Sequence, residues 1–210
     1  MMRNVAARSI PFLALAALSA SARSASTLID FNTLSGTDNG YYADYADTVL
    51  TNGYLLQSMD LVSWKSNSSL SSTGGNYTGS TALFSNYRDE PVVLTQADGG
   101  AFNLYSIDIA NLFTQSVSPF SQTTSTITFT GLLRSGGTVT QLYTTTADDL
   151  LHTVNFSSFN DLTSVSWVQE GMPYHQFDNV TVSPTAVPEP GTIAVLGLGA
   201  LGLLRRRRRG

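Results

Sequence analysis

The sequence has 210 residues and no cysteine, and its charges are unevenly distributed. Between Thr27 and Pro184 three basic residues stand against 14 acidic ones, whereas the other arginines lie near the two ends. An acidic central region repels phosphate groups, so nucleic-acid binding is excluded, whereas cation binding and simple solubility are both compatible with it. The absence of cysteine excludes disulfides, cysteine nucleophiles and thiolate metal sites.

Residues 1–22 have the three parts of a secretory signal peptide. Two arginines precede an apolar run at residues 10–20, and small residues follow it, which predicts cleavage after Ala22 or after Ser24. The apolar run is too short to span a bilayer comfortably, so removal is favoured over an N-terminal anchor. We therefore expect export through the Sec translocon and cleavage by a signal peptidase.

Residues 26–184 have the pattern of one all-β domain. Ser, Thr, Tyr and Phe recur, and turn dipeptides such as Asn52-Gly53 punctuate the chain. Outside the hairpin described next, strands are predicted at residues 26–31, 53–56, 83–84, 92–95, 102–109, 153–156, 164–169 and 177–182. A single helical turn is predicted at residues 108–113. Many short strands without an amphipathic helix predict a two-sheet β-sandwich or jelly roll.

The clearest local signal is a hairpin at residues 125–146. Ile127, Phe129 and Gly131 alternate with threonines before the Gly136-Gly137 pair, and a second alternating segment follows it. Alternation with a period of two residues on both sides of a Gly-Gly turn is typical of a β-hairpin.

Exposed aromatic rings among polar neighbours are candidates for binding sugars. Trp64, between Ser63 and Lys65, and Tyr77, in a polar stretch, are the leading candidates. The other tyrosines in polar segments are Tyr41, Tyr42, Tyr45 and Tyr87. Ordinary packing is an equally good interpretation of these rings. Trp167, in an alternating segment, is predicted to lie in the core.

Catalytic groups are sparse. His152 and His175 are the only histidines, and no nucleophile elbow, zinc-protease motif or phosphate-binding loop is present. Asp148-Asp149 and Asp89-Glu90 are adjacent in sequence, and adjacent strand residues point to opposite faces, so these pairs are better interpreted as solvated loop charges. The sequence therefore predicts a protein that is not an enzyme.

The C-terminal tail, residues 185–210, has three successive parts. Pro188, Glu189 and Pro190 precede an apolar helix predicted at residues 192–204, and a cluster of five arginines follows: Arg205, Arg206, Arg207, Arg208 and Arg209. The twelve apolar residues at 193–204 reach only about 18 Å as a helix, against a hydrocarbon core of about 30 Å. The arginines extend the span by snorkelling and keep the C-terminus cytoplasmic. The tail is therefore predicted to anchor the chain in the membrane.

This order of features resembles the PEP-CTERM sorting signal. The resemblance covers about 23 residues and implies an exosortase, a membrane protease that cuts near the signature in a Gram-negative host. It makes Pro188, Glu189 and Pro190 recognition residues for another enzyme. We expect transient anchoring in the inner membrane and delivery to the cell surface or extracellular matrix. An unprocessed tail anchor is the alternative.

Residues 29–31, 102–108, 136–139 and 177–180 resemble jelly-roll modules that accompany this tail and look like carbohydrate-binding sandwiches. In such modules a structural calcium often joins the first and last strands, and the resemblance places Asp30 and Asp178 there. An early acidic loop with Asp38, Asp44 and Asp47 is the alternative calcium site. Ordinary loop carboxylates without calcium remain the simplest interpretation.

We therefore expect a non-catalytic, exported surface or matrix protein that binds exopolysaccharide in a biofilm. A passive structural or adhesive protein without a defined ligand is the main alternative, and a surface polysaccharide hydrolase is a weaker one.

Overall fold

The fold is taken from a computed structural model that describes residues 25–34, 42–45, 47–64, 79–87, 89–112, 124–148, 150–170 and 174–185. These ranges contain 13 β-strands and one 3-10 turn, Asn32–Leu34. The strands are β1 (Thr27–Ile29), β2 (Tyr42–Tyr45), β3 (Thr48–Thr51), β4 (Tyr54–Gln57), β5 (Leu61–Trp64), β6 (Ala82–Ser85), β7 (Val92–Gln96), β8 (Phe102–Asn111), β9 (Thr126–Leu133), β10 (Thr138–Thr144), β11 (His152–Asn155), β12 (Leu162–Glu170) and β13 (His175–Pro184).

The strands form one continuous antiparallel sheet that folds over into two layers packed face to face, and each layer is called a sheet below. The first sheet has the order β2-β5-β6-β13-β8-β11, and β1 also pairs with β13. The second sheet has the order β3-β4-β7-β12-β9-β10. A single residue pair, Leu162 with Phe102, joins β12 to β8 and connects the two sheets. The predicted fold class, an all-β sandwich, is confirmed.

An aromatic core fills the space between the sheets. Trp167 on β12 is fully buried, and its ring meets that of Phe177 on β13 edge to face, with the ring centroids 5.0 Å apart. Phe129 on β9 packs against the same indole at 6.0 Å. Because the two sheets contribute opposite sides of this contact, burial of these rings holds the sheets together. The prediction that Trp167 lies in the core is confirmed.

The predicted hairpin is formed by β9 and β10. Ile127, Phe129 and Gly131 face the core, and both Gly136 and Gly137 have positive φ in the connecting turn. Gly131 also permits close packing, because a Cβ there would lie 2.8 Å from a methyl group of Leu162. The alternation of the sequence therefore predicted both the hairpin and its buried face.

Two local predictions were wrong. The helical turn predicted at residues 108–113 is instead the end of β8, which continues to Asn111 because Ala110 and Asn111 pair with Gln176 and His175 on β13. The sequence also did not predict β2, β3 and β5 as strands.

Within the described residues, no helix is long and apolar enough to cross a membrane. The predicted signal peptide, the tail helix at residues 192–204 and the cluster Arg205–Arg209 lie outside those residues, and so does Tyr77.

Candidate functional site on the outer face of the first sheet

Two β-bulges interrupt the central pair of strands in the first sheet. Between the pairs Asp178–Asp108 and Thr181–Ser106, strand β13 has one residue more than β8. In the next step, from Ser106 to Leu104, β8 has the extra residue, which is Tyr105. The two bulges compensate each other, so the strands return to register. Bulges redirect side chains, and both extra residues lie on or near the face turned away from the core.

The β8 bulge turns Tyr105 toward solvent. Its side chain is 41% exposed, and its hydroxyl lies 2.9 Å from Ser183 Oγ on β13. The backbone amide of Phe156 donates to the Tyr105 carbonyl oxygen at 2.8 Å, which holds the bulge from the other side. An aromatic ring is therefore held in a defined position on an accessible surface.

Two rows of polar residues lie beside Tyr105 across β13, β8 and β11. One row is Thr181–Ser106–Asn155 and the other is Asp178–Asp108–Thr153, each read from the strand registers. Thr153 and Asn155 are exposed, and Ser106, Asp108 and Thr181 are partly exposed. Together with Tyr105, the exposed and partly exposed residues of these rows form a surface that we call the outer face.

The Asp178–Asp108–Thr153 row is organised by the β13 bulge. Asn179 has φ 50°, a left-handed conformation that an asparagine tolerates better than most residues. Its backbone amide donates to Asp178 Oδ1 at 2.8 Å, and its side-chain amide donates to Asp108 Oδ2 at 3.0 Å. The Thr153 hydroxyl donates to Asp108 Oδ1 at 2.6 Å. The bulge residue therefore bridges two carboxyl groups.

Asp178 is fully buried although it faces away from the core. The Ser80 hydroxyl donates a short hydrogen bond to its Oδ2. Burial raises the pKa of Asp178, and the nearby carboxylates Asp108 and Asp30 raise it further, while the hydrogen bonds from Ser80 and Asn179 oppose this effect. The Asp178 carboxyl group therefore carries a proton more readily than an ordinary aspartate does.

Asp30 follows β1 and lies at the border of the same cluster. Its Oδ1 accepts a hydrogen bond from the Asn32 amide at 3.2 Å, and Asn32 Oδ1 accepts one from the Thr81 amide at 3.3 Å. Asp30 contributes to the raised pKa of Asp178, which places the two predicted calcium ligands in one electrostatic environment.

A metal centre does not follow from this arrangement alone. The described residues include no group of three or more His, Asp or Glu side chains arranged to hold a metal ion. Carboxylate oxygens are nevertheless the ligands that calcium prefers. Calcium binding by Asp30 and Asp178 stays a prediction. In the alternative site, Asp44 lies on β2 and not in the predicted loop, and its side chain and Asp38 lie outside what the structure describes.

The other aromatic candidates are distributed over a different part of the first sheet. Trp64 ends β5, where it pairs with Tyr42 on one side and Ala82 on the other. Tyr87 follows β6 and is 50% exposed. Its loop is tied to the β4–β5 connection, because the Asn86 amide donates to the Asp60 carbonyl oxygen at 2.9 Å. Neither β5, which ends at Trp64, nor the segment after β6 that carries Tyr87 is one of the strands of the outer face, and the side chain of Trp64 lies outside what the structure describes.

The two histidines have separate environments. His152 Nε2 lies 2.8 and 2.9 Å from the two carboxylate oxygens of Asp148, and this contact is the main reason why the pKa of Asp148 is lowered. Both side chains are substantially exposed. His175 is buried at the start of β13, and burial lowers its pKa to about 3. The two imidazoles therefore do not act on one shared site.

Sequence reasoning missed Tyr105 and Asp108, although one signal for the bulge was present. The apolar residues of β8 are at even positions in its first half, Phe102 and Leu104, and at odd positions in its second half, Ile107 and Ile109. All four side chains are buried in the core. A strand can bury both pairs on one face only if an extra residue lies between them.

Comparisons with known proteins identify the tail. Residues 186–209 match the PEP-CTERM protein-sorting motif. No curated protein matches the chain. The motif indicates an exported, exosortase-sorted cell-surface protein of a Gram-negative bacterium.

Two solved structures are similar in part. One contains the CBM22-1 and GH10 modules of endo-1,4-β-D-xylanase 10B from Clostridium thermocellum complexed with xylohexaose, with 10% identity, a TM-score of 0.36, and coverage of 76% of this chain and 28% of that chain. The other is the agarase AgWH50C, with 7% identity, a TM-score of 0.29, and coverage of 79% and 25%. The present chain thus spans about a quarter of the length of each.

Proposed function

We propose that this exported protein acts without catalysis at the cell surface or in the extracellular matrix, where its outer face binds exopolysaccharide. The sorting motif accounts for delivery, since the exosortase is the partner that processes the tail. The outer face accounts for retention in the matrix after processing.

The exposed ring of Tyr105 is the observation that carries this proposal. Sugar rings present C–H groups that pack on aromatic faces, and a tyrosine combines such a face with a polar end. The hydrogen bond between its hydroxyl and Ser183 fixes the ring before a ligand arrives. A side chain that is already ordered loses less conformational entropy on binding.

The two polar rows supply the hydrogen-bonding groups that a polysaccharide requires. Asn155 and Thr153 are exposed on β11, and Ser106 and Thr181 continue the first row toward β1. Hydroxyl and amide groups both donate and accept, so they suit the hydroxyl groups of a neutral sugar. Because the domain is acidic overall, we expect a neutral glycan to bind better than an acidic one.

The arrangement of the carboxyl groups supports a binding role over hydrolysis. Asp108 accepts hydrogen bonds from Thr153 and Asn179, and Asp178 is buried beneath Ser80. A glycosidase needs two carboxyl groups that both reach the scissile bond. Burial of Asp178 keeps this pair from serving as such an acid and base.

Co-sedimentation with the host's exopolysaccharide, compared with a neutral glucan, tests the proposal on the exported protein. Tyr105→Ala should weaken retention by about tenfold or more, whereas Tyr105→Phe should retain most of the binding because the ring remains. Tyr87→Ala is the matched control, since that side chain is similarly exposed but lies elsewhere.

Other outcomes distinguish the alternatives. If Tyr105→Ala is retained as well as the wild type and Tyr87→Ala is not retained, the binding site lies at the β4–β5 and β6–β7 loops. Absence of retention in the wild type would favour a passive structural protein. Turnover of the polysaccharide that a single Asp→Asn change abolishes would instead establish a hydrolase.

A further inference from the structure

Strand β10 is an edge of the second sheet with unusual composition. Within the described part of the chain it pairs only with β9. Its seven residues, Thr138–Thr144, include no charge, proline or glycine, and its register with β9 is uninterrupted. Proteins usually protect a long edge with charges, proline or a bulge, because a bare edge pairs with other strands. Strand β10 has none of these protections.

The hydrogen bonds of the hairpin show which backbone groups of β10 are free. Leu133 N donates to Gly137 O at 3.0 Å, and Thr145 N donates to Ser125 O at 2.9 Å. Hydrogen-bonded pairs alternate along an antiparallel ladder, so the odd-numbered residues between them face β9. Four residues consequently direct their N–H and C=O groups to the open edge: Thr138, Thr140, Leu142 and Thr144.

The surroundings of this edge also favour close approach. Leu142 is 69% exposed, which is costly for an isolated side chain in water. Arg134 is the only charged residue in the whole hairpin at residues 125–146, and it is paired with Asp161 at 3.2 Å. In a domain with 14 acidic residues, two copies repel each other least where charge is absent.

The sequence of β10 is compatible with pairing to itself. An antiparallel partner aligned over the full strand places Gln141 opposite Gln141, Thr140 opposite Leu142, and Thr138 opposite Thr144. In this register the pairs that exchange backbone hydrogen bonds are formed by the four residues with free groups. The exposed Leu142 side chain then lies beside a threonine methyl group of the other copy.

We propose that β10 is a dimerisation edge, at which two copies of this chain pair antiparallel about a two-fold axis through Gln141. The second sheets of the two copies join into one continuous sheet. The other described edges are less suitable, because β2, β3 and β11 have only four residues each and β1 has three. A two-fold contact uses the same edge in both copies, so the assembly closes at a dimer.

Sedimentation velocity of the exported protein measures the assembly directly. The wild type should show twice the chain mass in the micromolar range. Thr140→Pro removes an N–H that faces the open edge and leaves the β9 ladder intact, so it should give a folded monomer. Leu142→Lys should weaken dimerisation by tenfold or more through charge repulsion. Thr48→Lys, on the edge strand β3, is the matched control and should stay dimeric.

Single cysteines test the register, because the chain has none of its own. Two cysteines at position 141 would face each other in a pair without backbone hydrogen bonds, at a Cα separation of about 4.5 Å that a disulfide spans. Gln141→Cys should therefore form a covalent dimer on oxidation. Thr138→Cys should not, because its neighbour would be Thr144.

The proposal is overturned if the wild type is a monomer, if Thr140→Pro leaves the dimer unchanged, or if species larger than a dimer dominate. A dimer that forms through the tail would persist in Thr140→Pro. A monomeric Thr140→Pro variant therefore excludes association through the tail. Polysaccharide retention through Tyr105 is measured separately, so either proposal can fail without the other.

Discussion

Asp108 and Asp178 lie directly opposite each other on adjacent strands of the first sheet. Like charges in such a cross-strand pair destabilise a sheet. Asn179 lies between them and donates one hydrogen bond to each carboxyl group. Burial favours the neutral form of Asp178, so the pair can be accommodated with only one negative charge. The β13 bulge adjoins this pair, and its residue Asn179 donates the hydrogen bonds that stabilise the pair.

Replacing Asp178 by Asn should stabilise the fold at pH 7 when calcium is chelated. The raised pKa means that the folded state binds a proton more tightly than the unfolded state. The contribution of Asp178 to stability therefore falls as pH rises from about 3.8 through its folded pKa, and a neutral amide avoids this loss. Chemical denaturation from pH 4 to pH 8 checks this. A variant less stable than the wild type at every pH would show that the charged form is required.

Calcium provides the opposite test of the same residue. If Asp30 and Asp178 hold calcium, millimolar calcium should raise the midpoint of thermal unfolding of the wild type relative to chelator, because a ligand of the folded state stabilises it. The Asp178→Asn variant should not respond. Equal midpoints of the wild type in calcium and in chelator would contradict the calcium prediction.

His175 should make the protein less stable in acid. Its folded pKa of about 3 lies below the ordinary value of 6.5, so the unfolded state binds more protons between those values. The free energy of unfolding should fall as pH decreases from 6.5 toward 3, by at most about 1.4 kcal/mol per pH unit from this residue. Denaturation of wild type and His175→Gln across pH 4 to 7 measures the difference. His152→Gln is the control, since that ring is exposed. Parallel curves for wild type and His175→Gln would contradict the assignment.

Gly131→Ala should destabilise the sandwich by about 1–3 kcal/mol, as overpacking of a filled core does. The added methyl group would lie 2.8 Å from Leu162 Cδ2, 3.0 Å from Val139 Cγ1 and 3.1 Å from Phe159 Cδ1. Thr130→Ala, one residue earlier on the opposite face, should change stability much less. Urea denaturation measures both. An unchanged midpoint for Gly131→Ala would mean that the neighbouring side chains move at no cost.

Glu189→Ala should block processing of the tail. The residue lies in the part of the chain that matches the sorting motif, and the exosortase is expected to recognise Pro188, Glu189 and Pro190. Immunoblots of membrane and culture fractions should show a longer, membrane-retained form of the variant. Glu170→Ala is the control, because Glu170 ends β12 and lies outside the motif. Normal release of Glu189→Ala would argue against recognition through this signature.

The sequence by itself determined the features that depend on neighbouring residues. The sorting tail is a contiguous motif, and residues 186–209 could be identified without any fold. The β9–β10 hairpin and the burial of Trp167 follow from alternation within single segments, because successive side chains of a strand face opposite ways.

Only the tertiary structure decided which strands are neighbours, and the candidate site depends on that. Asp108 and Asp178 are 70 positions apart in the chain, and nothing local predicts that β8 and β13 are neighbours or that a second bulge in β13 compensates the one in β8. The bulges expose Tyr105 and bring Asn179 between the carboxyl groups. The position of β10 at an edge likewise results from the order of six strands in its sheet. Local patterns specify which face of a strand is buried, whereas its partners are selected by packing between distant segments.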